Sequence, residues 1–146
     1  MWSNATMTDQ RAHYLSACLR RRGCPLTTVI AFIDGTCRPC CRPKRHQRSV
    51  YNGWKRKHLL KFSCVVSPDG MIASCCGPFA GRRNDRYMLT ASNIKAHFQA
   101  NLPNWSLFGD AGYVADYPFL FRGYPGRYPS GSPQARFNKR MSRLRE

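Results

Sequence analysis

The run Thr28-Val29-Ile30-Ala31-Phe32-Ile33, closed by Asp34-Gly35, constrains the fold more than any other segment. It is rich in β-branched residues, apolar at odd and even positions alike, and too short for a helix. Such a run reads as a strand buried on both faces. A strand of that kind needs paired neighbours and a covering layer on each side, which points to the centre of an α/β sheet. Asp34 stands at its end.

The remaining elements follow from their own punctuation. Thr8 is placed to cap a helix with Asp9 in its first turn. Ala12, Leu15, Cys18 and Leu19 recur at helical spacing, and Gly23 is a stop. Residues 58–66 and 71–77 read as two strands joined by Ser67-Pro68-Asp69-Gly70, a turn with Pro at its second position and Gly at its fourth. Asn84 is a cap for one helix running to about Leu102, with Asp85 in its first turn and Met88, Ala91, Ile94 or Lys95, Phe98 and Leu102 on one face. Pro103 ends it. The run from Trp105 to Phe108 is a further short strand before Gly109-Asp110. Residues 122–133 are rich in Gly, Pro and Ser and read as an irregular loop. Ser132 and Pro133 then open a final helix carrying Phe137, Met141 and Leu144.

A right-handed crossover through the helix at 84–102 would place the Asp110 strand beside the Asp34 strand. Both aspartates would then emerge at one sheet end, where ligands of open α/β sheets bind. There is no internal repeat and no linker separating two domains, so residues 1–146 read as one domain.

The formal net charge is +17, with only seven acidic side chains. A chain that repels itself so strongly suits a polyanionic partner, nucleic acid first and anionic membrane second. No basic amphipathic helix has a broad apolar face and no apolar run approaches the roughly 18 residues of a membrane span, which argues against the membrane. The N-terminal stretch lacks the basic and apolar regions of a secretion signal. The chain is therefore expected inside the cell, with its eight cysteines reduced and the Asn4-Ala5-Thr6 sequon idle.

Against that positive background, Asp34, Asp85 and Asp110 stand out as oxygen ligands for a divalent cation. Mg²⁺ keeps several waters, so two or three carboxylates plus substrate phosphates suffice to hold it. Paired ions of this kind support phosphodiester cleavage. Each aspartate also has a plainer reading: Asp34 and Asp110 as turn formers, Asp85 as a favourable charge at a helix N-terminus. Asp69 belongs to the hairpin turn and Asp116 to a loop.

Residues 36–57 combine prolines and an Asn-Gly pair with many basic side chains, and read as an electrostatic arm. Arg42, Lys44, Arg45, Lys55, Arg56, Lys57 and Lys61, interleaved with Tyr51 and Trp54, are candidates for positioning nucleic-acid phosphates. Arg82 and Arg83, just before Asp85, are placed to clamp the same strand. A solvated charged face is the plainer alternative.

The runs FIDGT, RP with a following Gln47, YNGWKRKHLLKF, SPDGMI, GPFAGRRNDRYML, FGDAGY and FNKRMSRLR, in that order and spacing, resemble the catalytic domain of PIF/Harbinger-type transposases, which are DDE superfamily endonucleases. The resemblance covers about residues 14–146. It implies an RNase H-like fold, a mixed sheet with flanking helices, here incomplete. It also implies divalent-metal (Mg²⁺ or Mn²⁺) cleavage and strand transfer of DNA in the nucleus, beside a separate Myb-like DNA-binding protein. A homo-oligomer is left open.

By the same resemblance, Asp34 matches the first acidic ligand, Asp85 the acid after the Gly-x-x-x stretch, and Asp110 the acid of the GD-x-GY motif. The family's last catalytic Glu lies on the final helix well beyond the position of Asn138. This chain stops short of that position, and Glu146 falls about one helical turn early. The family's N-terminal helix-turn-helix region is also largely missing. The chain therefore resembles a fragment or degenerate copy, for which the alternative function is that of a non-catalytic nucleic-acid-binding remnant.

A zinc reading of Cys37-x-x-Cys40-Cys41 with Cys75-Cys76, as in a zinc-stabilised RNA-binding module, is disfavoured. A second C-x-x-C is absent and adjacent cysteines chelate badly. His46 and His58 read as polar loop and strand-edge residues.

Overall fold

The computed structural model describes residues 7–110, 112–113 and 117–145. Asn4, Asp116 and Glu146, each weighed above, lie outside the described residues. The chain runs α1 (Asp9–Arg21), β1 (Val29–Pro39), α2 (Gln47–Val50), β2 (Tyr51–Asn52), β3 (Lys57–Val66) and β4 (Ile72–Ala80). It continues through α3 (Asp85–Ala91), α4 (Ile94–Asn101), β5 (Ser106–Gly109) and β6 (Leu120–Arg122) to α5 (Pro133–Arg145). The sheet order is β2-β3-β1-β5-β6, with β4 also paired to β3. β1 is central: antiparallel to β3 on one side and parallel to β5 on the other. This is a mixed α/β architecture consistent with an RNase H-like fold.

Central placement follows from composition. Val29, Ile30, Ala31 and Ile33 are fully buried and Phe32 nearly so, a run that only helices on both faces can cover. On one face Ile30, Ile33 and Leu107 pack with Ala12 and Leu15 of α1, Leu89 of α3 and Phe98 of α4. On the other, Val29, Phe32 and Phe108 pack with Leu19 and with Met141 of α5, flanked by Phe137 and Leu144. Each fully buried Leu or Phe contributes about 1.5–3 kcal/mol. The helix starts are capped as their sequences require: Thr8 Oγ1 accepts the Arg11 N–H at 3.2 Å, and Asn84 Oδ1 accepts the Tyr87 N–H at 2.9 Å. Ser132 Oγ likewise accepts the Ala135 N–H at 3.2 Å.

Four details differ from the sequence-based expectation. β1 does not end at Asp34: its pairing with β3 runs on from Phe32 opposite Val66 to Pro39 opposite Leu59, because antiparallel partnership with a long apolar strand compensates for Gly35 and Pro39. The arm at 36–57 is partly ordered, containing the end of β1, a single turn of α2, and β2, which is paired with the start of β3. The helix at 84–102 is two helices, broken where Ser92 caps α3 and Asn93 takes a left-handed φ of 55°. Ser and Asn side chains compete with helical backbone bonds and Asn tolerates that conformation; here Ser92 Oγ donates to the Leu89 carbonyl at 2.8 Å. Finally, Leu120–Arg122 forms a strand parallel to β5, too short to show a pattern of its own.

Candidate active site

β1 and β5 are parallel neighbours whose last registered pair is Ile33 opposite Gly109. Asp34 and Asp110 each follow that pair directly, on strands roughly 4.8 Å apart. The crossover through α3 and α4 therefore sets both aspartates side by side where the parallel β1–β5 pairing ends, although β1 itself runs on beside β3. Asp34 Oδ1 accepts the N–H of Gly35, and Asp110 Oδ1 accepts the N–H of Gly112, each at 2.8 Å. Both carboxylates keep further lone pairs free for a ligand.

Asp85, in the first turn of α3, reaches the same place from the flank. A Cβ added at Gly112 would lie 2.8 Å from Asp85 Oδ2 and 3.1 Å from Asp110 Oδ1. One added at Gly35 would lie 3.1 Å from Asp85 Oδ1. The Gly112 backbone thus lies against both Asp85 and Asp110, and the backbone of Gly35, which follows Asp34, lies against Asp85. Both glycines sit where a side chain would displace carboxylate oxygens.

The pleat turns Asp34 itself away from the face on which Gly35 meets Asp85. Its cross-strand partner is Cys64, which in turn pairs with Cys75. The three carboxylates consequently approach one sheet end from two sides. Among the described residues, no group of three His, Cys, Asp or Glu side chains is gathered closely enough to hold a metal ion by itself. The donor chemistry nonetheless fits a hard cation, since Mg²⁺ needs only one or two carboxylates when waters and substrate phosphates complete its shell.

Tyr113 lies under this cluster, fully buried. Burial pushes its phenol pKa well above the ordinary value, and the negative charges of Asp85, Asp34 and Asp110 push the same way, with Ser63 opposing. Its hydroxyl, beside Ser63, makes no well-formed hydrogen bond. Sequence reasoning took FGDAGY only for Asp110. The close approach of Gly112 and the burial of Tyr113, the next residue, were the missed features.

The basic residues divide into two groups. Lys44, Arg45, Lys55, Arg56, Lys57 and Arg82 are exposed, and Arg42 is exposed with its Nε donating to Gln47 Oε1 at 2.8 Å. Lys61 and Arg83 are more enclosed. Lys61 Nζ donates to the Arg83 carbonyl at 2.9 Å and stands 3.5 Å from Asp85 Oδ1. The Arg83 guanidinium lies 4.1 Å from the centre of the Tyr87 ring. The structure thus puts Lys61 beside Asp85, one of the three carboxylates. All eight cysteines are free thiols; Cys64 and Cys75 are in contact, with Sγ atoms 3.2 Å apart. Among the described residues no helix is long and apolar enough to cross a membrane.

A family model described as DDE superfamily endonuclease matches residues 33–146. No curated protein and no solved structure matches the chain.

Proposed function

Since the chain belongs to the DDE superfamily endonucleases, we propose that it acts on DNA as a divalent-metal-dependent endonuclease of transposase type. Asp34, Asp85 and Asp110 are the ligands for Mg²⁺ or Mn²⁺ in this reading. Divalent ions held there would supply Lewis-acid stabilisation of a phosphodiester under attack. The observation that carries the reading is the meeting of Asp85 and Asp110 across the bare backbone of Gly112, where the parallel pairing of β1 with β5 stops one residue before Asp34.

The chain's other residues have supporting tasks. Lys61 holds the Asp85 carboxylate and offsets its charge while no cation is bound. Tyr113, kept neutral by burial, packs its ring against Gly109, the residue before Asp110, and so backs the strand end that carries that acid. The exposed cations from Arg42 to Lys57, with Arg82, position DNA phosphates near the carboxylates. Such contacts bind with little sequence preference and a steep salt dependence. The linked runs from FIDGT to FNKRMSRLR support the PIF/Harbinger type, with the nucleus as its place and a separate Myb-like DNA-binding protein as its partner.

Plasmid nicking tests the reading. Supercoiled DNA with Mg²⁺ or Mn²⁺ is expected to be nicked by the chain and not in EDTA, and Asp34→Asn or Asp110→Asn is expected to abolish the reaction. Equal nicking by the Asn variants would remove the metal role. Metal-independent DNA binding without nicking would favour a non-catalytic binding protein.

A further inference from the structure

A groove of about 910 Å³ lies between the C-terminal end of α1 and α5, with none of the three aspartates in its lining. Five cations line it, Arg22, Arg136, Lys139, Arg140 and Arg143, and among the described residues no acidic one does. All five are exposed. Its apolar floor is formed by Pro25, Phe137 and Leu144.

The arrangement along α5 is regular. Phe137, Met141 and Leu144 turn one stripe towards Phe32 and Phe108. Arg136, Lys139, Arg140 and Arg143 recur three or four residues apart and form an adjacent stripe. From Arg136 to Arg143 the helix rises about 10 Å, enough to run along several nucleotides of a strand that rises 3.4 Å per residue. Arg22 stands on the facing wall, where Gly23 lies against Arg140, its added Cβ being 4.0 Å from the Arg140 Nε. Among the described residues none of the five cations has a carboxylate partner, and like charges gathered on one groove are unfavourable in the free protein and are relieved by a polyanion.

We infer that this groove is a second DNA-binding site, which holds a duplex segment by its phosphates away from the carboxylate cluster. The inference rests on the reading of the chain as a DNA-acting protein and adds a surface that the reading does not use. One wall opens beside the residues leading into β1, where Asp34 lies five residues beyond Val29, on the order of 17 Å further along the strand. The other wall, α5, comes nearer the carboxylates: its Asn138 bonds to Tyr124, two residues after the Arg122 that pairs with Gly109. A duplex in the groove would thus be a flanking segment that leads towards the bond presented to the aspartates. The floor supplies no stacking platform: Phe137 is already packed at 5.3 Å from Tyr124 and 6.3 Å from Phe108, ring centre to ring centre. Contacts here are therefore to backbone phosphates, and they do not read sequence.

Binding of a short duplex of arbitrary sequence, followed by fluorescence anisotropy in EDTA over a salt series, tests this. Each phosphate contact contributes about 0.9 to the slope of log affinity against log salt. The Arg136→Gln/Arg140→Gln/Arg143→Gln variant is expected to lose about 2–3 from that slope and about tenfold or more in affinity at low salt. Arg22→Gln, which leaves α5 untouched, is expected to lose about 1. Unchanged slopes in both variants would overturn the inference. So would tighter binding of an RNA duplex of the same sequence with a larger loss in the variants. A chain that shows these losses but never nicks DNA refutes only the catalytic reading, whereas one that nicks and keeps its slopes refutes only the groove.

Discussion

Lys61 Nζ stands 3.5 Å from Asp85 Oδ1, with the two side chains 14% and 26% exposed. The ammonium therefore neutralises a carboxylate proposed to bind metal, and an arriving cation must share that carboxylate or displace the lysine. Replacing Lys61 by Met removes the competing charge while keeping most of the apolar stem. Mn²⁺ binding, read by electron paramagnetic resonance, is expected to tighten about threefold to tenfold, on the order of 1 kcal/mol. Weaker binding would mean that Lys61 serves chiefly to aim Asp85.

Gly112 offers a sharper test of the same cluster. Its added methyl would meet Asp85 Oδ2 at 2.8 Å and Asp110 Oδ1 at 3.1 Å, so Gly112→Ala must push at least one carboxylate aside. Misplacement of about 1 Å can lower a rate about 100-fold, and a loss of at least about tenfold in Mg²⁺-dependent nicking is expected here. Gly53→Ala, where nothing lies within 4 Å of the added carbon, is expected to nick like the parent. Equal activity in both variants would show that Asp85 and Asp110 do not act from these positions.

Much of this arrangement is legible in the residues because their signals are local and agree with one another. The fully apolar run before Asp34 names a central strand, Thr8 and Asn84 name helix starts, and Ser67-Pro68-Asp69-Gly70 names the hairpin; the Gly70 N–H indeed donates to the Ser67 carbonyl at 2.9 Å. The less legible features depend on partners distant in the chain. β1 runs past Gly35 because β3 is there to pair with it, and β6 exists because β5 offers an edge. The break at Ser92-Asn93 had a signal, two residues that disfavour helix interiors, but the apolar spacing on either side outweighed it. At the site, the three aspartates are visible as sparse acids in a basic chain. Their approach to Gly35, Gly112, Lys61 and Tyr113 is set by the crossover and has no signature in spacing.

Arg11 Nη2 donates to Asp69 Oδ2 at 2.6 Å, tying α1 to the turn between β3 and β4. Partial burial alone would raise the Asp69 pKa, but hydrogen bonds from the Ser67 hydroxyl and the Met71 N–H, together with the Arg11 charge, hold it below the usual carboxylate value. A carboxyl depressed on folding contributes stability above its unfolded pKa of about 3.9, and that contribution is lost as pH falls through the folded value. Asp69→Asn is therefore expected to destabilise the fold by about 1 kcal/mol at neutral pH, a modest figure because the ion pair is partly solvated. Thermal unfolding of the two proteins should converge as pH drops below about 4. A gap that widens in acid would contradict the assignment.

Trp54 is 94% exposed, at the tip of the turn between β2 and β3 and followed by Lys55, Arg56 and Lys57. The turn is firmly held: Asn52 Oδ1 accepts the Lys55 N–H at 2.8 Å and Asn52 Nδ2 donates to the Gly81 carbonyl at 2.7 Å. A large aromatic ring presented to solvent on a fixed turn contributes nothing to the core, yet it is well placed to stack on an unpaired base beside cations that hold the phosphates. Stacking of that kind is worth about 1–3 kcal/mol per base. Trp54→Ala is expected to leave the unfolding midpoint unchanged and to weaken single-stranded DNA binding by about tenfold, with little change in salt slope. Lys55→Gln/Lys57→Gln is expected to do the reverse, lowering the slope by about 1.4, since each contact to a single strand contributes about 0.7. If Trp54→Ala instead lowered the midpoint and left DNA binding intact, the ring would belong to the fold and not to the nucleic-acid surface.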